Sequence, residues 1–85
     1  MVRIETATLT MIKSRFAGRE AAVERAFAAS ESFRGLCRDY LTCVAALTRW
    51  QELASEDARR RSAEYAELVA ELTREMEAHL RNAGG

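Results

Sequence analysis

From Phe33 to Trp50 the apolar side chains Phe33, Leu36, Tyr40, Cys43, Leu47 and Trp50 return at steps of three and four in strict alternation. A helix of about 3.6 residues per turn gathers all six onto one stripe, whereas a strand would scatter them over both faces. The spacing predicts a helix over residues 31–53 with a heptad seam of the coiled-coil kind, flanked by Cys37 and Val44 on one side and Leu41 on the other. Ser30 supplies an N-cap oxygen, and Glu31 an acid in the first turn. Arg34, Arg38, Asp39, Thr42, Arg49 and Glu52 are expected largely on the outer face.

A second stripe, Tyr65, Val69, Leu72, Met76 and His79, widened by Leu68 and Leu80, predicts a helix over residues 56–81. Ser55 caps it, and Glu56–Arg60, Asp57–Arg61 and Glu77–Arg81 have the favourable i,i+4 spacing. The few residues around Ala54 and Ser55 force the two helices to lie antiparallel. The expected architecture is all-α: a long helical hairpin whose seam (Phe33, Leu36, Tyr40, Leu47, Trp50, Tyr65, Val69, Leu72, Met76) is closed by dimerisation into a four-helix bundle. Upstream, residues 19–29 read as a short helix with Val23, Ala26 and Phe27 inward, after a break at Gly18. Residues 1–18 read as an N-terminal arm or a further short helix: Thr6, Thr8 and Thr10 favour a strand, but no other strand exists to pair with. Ile4, Thr8, Met11, Ile12 and Phe16 fit a helical face. Residues 82–85, ending Gly84-Gly85, are expected to form a flexible tail.

Eighty-five residues make one domain, 1–85, and a lone core of that size is thin, which is the physical reason to expect a homodimer or higher homo-oligomer, or an unidentified protein partner. The chain has no proline, 48% hydrophobic and 31% charged residues, a composition that folds and favours helix. Thirteen basic residues, twelve of them Arg, cancel thirteen acidic ones, so no global field attracts nucleic acid or an anionic membrane. The distribution is uneven: residues 1–50 carry eight bases and five acids, net +3, and residues 51–85 five and eight, net −3. No apolar run reaches the ~18 residues of a membrane span, the first residues lack a signal-peptide core, and two cysteines without a leader suit reduced thiols. A cytoplasmic location is expected.

The run Phe33-Arg34-Gly35-Leu36-Cys37-Arg38-Asp39-Tyr40, continuing through Cys43, Ala46, Leu47 and Trp50, resembles a group of small bacterial helical proteins with the pattern Phe-Arg-x-Leu-Cys-x-Asp-Tyr-x-x-Cys-x-x-Ala-Leu-x-x-Trp. Ser14-Arg15-Phe16-Ala17-Gly18-Arg19-Glu20 and Glu64-Tyr65-Ala66-Glu67-Leu68 are similar to further pieces of it. The layout is also similar, less closely, to YdcH-like helical hairpins. The resemblance covers residues 14–80 and implies a hairpin fold; it implies no activity.

Few residues carry reactive chemistry. Cys37 and Cys43, six apart on one helix, are separated by about 9 Å along its axis, beyond disulfide reach, and lack the second ligand pair of a zinc site. Both read as small buried hydrophobes, with a redox pair across a dimer axis as the sharper alternative. His79, the single histidine, has Glu75 one turn earlier, but the i,i+3 position of a di-iron motif is Met76. Glu67, Glu71 and Glu75 form an acidic row that a solvated face explains. Arg59-Arg60-Arg61 stands among Glu56, Asp57 and Glu64, too short and too neutralised for a nucleic-acid face. Trp50 and Tyr40 are seam anchors, core if covered and hot spots if exposed. With one histidine, no Gly-rich elbow and no phosphate loop, no catalytic, cofactor or metal site is expected. The expected function is a non-enzymatic interaction or assembly module; the alternative is a metal-binding or redox-responsive oligomer using Glu75, His79 or the cysteines.

Overall fold

Two serine hydroxyls open the long helices. In the computed structural model, which describes the backbone of residues 2–84 and the side chains of residues 6–82, the helices are α1 (Val2–Arg15), α2 (Glu20–Ala29), α3 (Glu31–Gln51) and α4 (Glu56–Gly84). No strand occurs among the described residues. Ser30 Oγ accepts the Phe33 N–H at 3.0 Å, and Ser55 Oγ accepts the Ala58 N–H at 3.0 Å. Each satisfies a donor that the first turn of a helix leaves orphaned. Between α1 and α2, Gly18 takes φ +88°. That left-handed turn ends α1 and is strained for any residue with a Cβ.

Several boundaries differ from the spacing-based expectation. Residues 2–15 form a helix, and Thr8 and Ile12, one turn apart, are buried; the Ile4 side chain lies outside the described residues. α3 stops at Gln51, so Leu53 falls in the connection and is 56% exposed. α4 continues through residues 82–84, where a tail is expected, and Gly85 lies outside the described residues. Nothing before Gly84 breaks the ladder, and each residue added to an existing helix gains a hydrogen bond without a new nucleation cost.

The core gathers all four helices at one end. Ile12 from α1, Ala22, Val23, Ala26 and Phe27 from α2, Phe33, Cys37 and Tyr40 from α3, and Met76 and Leu80 from α4 form one buried cluster. Leu9, Phe16, Leu36, Leu41, Val44, Val69 and Leu72 pack around it. Polar contacts tie the elements at its rim. Lys13 of α1 pairs with Glu24 of α2, the Arg15 guanidinium lies 5.9 Å from the centroid of the Tyr40 ring, and Arg34 donates to the Phe27 and Ala28 carbonyls. Arg34 is thus half-buried and caps the C-terminus of α2, rather than standing on the outer face of α3. A cation there satisfies carbonyls that the helix cannot and complements its dipole.

Length decides what this core can cover. The molecule measures 43 × 28 × 21 Å. Twenty-nine residues at ~1.5 Å each make α4 about 43 Å long, so α4 runs the whole length of the protein. The 14 and 10 residues of α1 and α2 span only about 21 and 15 Å. α2 packs on both long helices, beside Leu80 near the end of α4, and α1 packs on α2 and α3; this end is the base, and the rest, the arm, is two helices thick. In the arm Ala58 alone is buried among the described residues.

Candidate interaction surface

The apolar stripe of α3 divides along its length and across its width. Phe33 and Tyr40, seven residues apart, are buried; Leu36, Cys43 and Trp50, the other heptad row, are all half-buried. On α4 the row Tyr65, Leu72 and His79 is half-buried as well, while Met76 is buried. The Phe33 and His79 rings meet at 5.7 Å, tilted by 53°. At the other end Trp50 and Tyr65 line one groove. The ring contact and the shared groove set the register to within about one turn: α4 returns alongside α3 with Leu36 near the level of His79, Cys43 near Leu72, and Trp50 near Tyr65. Heptad spacing keeps each row on one flank of its helix. The six residues make a strip about 21 Å long, with Leu36 and Leu72 packed against the core and Trp50 and Tyr65 lining the groove.

The strip opens towards the arm. Ala46, Arg49, Trp50, Leu53 and Tyr65 line a groove of ≈ 410 Å³, and a second, of ≈ 330 Å³, lies beside it over Thr42, Ala45, Ala46 and Arg49. Leu53 and Leu68, with 56% and 43% of their surface exposed, border the strip and leave large apolar side chains in water. Of the two seam anchors Tyr40 is buried, and Trp50 stands half-exposed because no third helix reaches that far. An aromatic with one apolar face in a groove and an indole N–H at the edge is the usual chemistry of a binding anchor. Leu68 is already visible as a residue that widens the α4 stripe, whereas Leu53 and Arg49 escape heptad reasoning because the first lies outside a helix and the second off the seam.

The reactive candidates do not assemble into a centre. Cys37 and Cys43 are free thiols. Cys37 is buried in the core, and burial pushes its thiol up to about 12, with Arg38 opposing weakly; it stays protonated and un-nucleophilic at neutral pH. Cys43 lies on the strip, half-buried. Glu75 is exposed and His79 half-buried against Phe33. No group of three or more His, Cys, Asp or Glu side chains is placed to hold a metal among the described residues.

The arginine run is neutralised locally, though not through the i,i+4 pairs its spacing suggests. Arg60 binds Asp57 at 2.8 Å and Arg61 approaches Glu64 at 3.7 Å, both i,i+3. The Arg60 hydrogen bond, more than its charge, holds the Asp57 carboxyl below its usual range. Glu20 at the start of α2 is also lowered, first by the backbone N–H groups of Glu20 and Gly18 and then by the charge of Lys13. Among the described residues no helix is long and apolar enough to cross a membrane. No family model, no curated protein and no solved structure matches the chain.

Proposed function

We propose that this chain is a non-enzymatic interaction module, with the strip along α3 and α4 as its docking surface and the four-helix base as the support that holds it rigid. The observation that carries this reading is the surplus of surface. Folded monomers of 9.5 kDa expose about 5000 Å² by the scaling of area with mass. This chain exposes 5762 Å², an excess of about 700 Å². A standard protein interface takes about 800 Å² from each partner. In the arm Trp50, Leu53 and Tyr65 line one groove, and Leu53 and Leu68 leave about half of their apolar side chains exposed, surface of the kind that a partner covers.

Site-directed photo-cross-linking in intact cells tests it. A benzophenone amino acid placed at Leu68 should capture a macromolecule, and the same group at Arg74, exposed on another face of α4, should not. Equal capture from both positions, or none from either, would contradict the assignment of the surface.

A further inference from the structure

The strip is marked by charge as well as by apolar surface. Arg49 lies on its α3 edge beside Trp50, and Asp39 on the same helix nearer the base. On α4, at about 100° per residue, Leu68 is flanked by Glu64, Glu71 and Glu75. The ion pairs among the described residues are Lys13–Glu24, Asp57–Arg60 and Arg61–Glu64, so Arg49, Asp39, Glu71 and Glu75 take part in none. Resting on the docking reading above, we propose that the occupant of the strip is a second copy of this chain. The two copies are related by a two-fold axis parallel to the helices. In that arrangement α3 of each copy lies against α4 of the other, and both arms point the same way.

Size and charge both select this partner. The excess surface of about 700 Å² equals one side of an interface of standard size, so a partner with the same excess is satisfied at the same time. The chain is neutral, +3 in its first fifty residues and −3 in the rest, so a second copy brings each sign to the other without net repulsion. Charge also chooses between the two-fold arrangements. Stacking α4 on α4 would set the row Glu64, Glu71 and Glu75 against itself, and like charges facing each other are unfavourable. Stacking α3 on α4 brings Arg49 within about one turn of the level of the partner's Glu64, and Asp39 within about one turn of the partner's His79. Every neighbouring helix pair is then antiparallel, with opposed dipoles.

Sedimentation equilibrium of the full chain, combined with a distance between spin labels at the tip of the arm, tests the proposal. The label is carried by a keto amino acid in place of Ala54, which leaves Cys43 of the strip unchanged. The tip is outside any helix and exposed, so the variant folds. A dimer with the two tips less than about 30 Å apart is expected, since helix axes in a bundle lie about 8–10 Å apart. Arg49→Glu should weaken the dimer about tenfold, and adding Glu64→Arg should restore it. A monomer at millimolar concentration, a dimer with tips more than about 30 Å apart, or a double variant no tighter than the single one would each overturn it. A monomer that still cross-links another macromolecule from position 68 would overturn this inference and leave the docking surface standing; a monomer that cross-links nothing would remove both.

Discussion

The base and the arm are built from the same two helices and differ in what lies on top of them. At the base, α2 covers α3 and α4 and α1 covers α2 and α3, and Phe33, Cys37, Met76 and Leu80 reach zero exposure. In the arm the same stripes continue through Leu47, Trp50 and Tyr65 without a third layer, and every one of these residues stays half-exposed. A regular apolar stripe is therefore not a core. It becomes one only where a further element is long enough to reach it, and here the 10-residue α2 is too short to follow the 29-residue α4 along its length.

The largest contrast should appear in the thiols. Cys37 can be alkylated only when the base opens, so its labelling should be slower than that of Cys43 by several orders of magnitude, following the global unfolding equilibrium. Comparable rates would mean that the base is not a closed core. The same thiol gives the base a pH limit. Its folded value of about 12 exceeds the ordinary 9.0, so above pH 9 the unfolded chain releases a proton that the folded one keeps. Stability should fall as pH rises from about 9 towards 12, and Cys37→Ala should flatten that slope in urea titrations.

Side-chain truncation should rank the two regions. Phe33→Ala is expected to cost about 3–5 kcal/mol, the range for emptying a packed aromatic site. Leu47→Ala in the arm should cost under about 2 kcal/mol when measured on dilute protein, because its site already faces solvent. Equal losses would contradict the division. Gly18→Ala should cost about 1–2 kcal/mol through its left-handed backbone, which no side-chain contact can relieve. Gly35→Ala, in the middle of α3 with nothing within 4 Å of the added Cβ, should instead raise stability by about 0.5–1 kcal/mol. Each follows from thermal or urea unfolding of the variant beside the parent chain.

The periodicity that predicts α3 and α4 is legible because step lengths of three and four, serine caps and acidic first turns all act within a few residues of one another. Ser30 and Ser55 cap as expected, and Gly18 breaks the chain as expected. Burial is a different matter. Phe33 and Trp50 occupy the same seam in the sequence, yet one is sealed and the other half-open, because cover depends on where α1 and α2 dock. The role of Arg34 is hidden for the same reason: its carbonyl partners belong to another helix, met only after the chain turns at Ser30. Of the strip, all six residues, Leu36, Cys43, Trp50, Tyr65, Leu72 and His79, are visible as positions of the two periodic stripes. Leu53 and Arg49 become visible only when the groove they line exists.

Hydrogen exchange resolved along the chain, repeated over a hundredfold range of protein concentration, tests the account most directly. Amides at the base, around Phe27, Phe33 and Met76, should keep the same protection throughout. Those of the arm, from Cys43 to Leu72, should open more readily in dilute solution and gain protection as concentration rises. Uniform protection of both regions, independent of concentration, would contradict an arm that is left open by its own chain and covered by another.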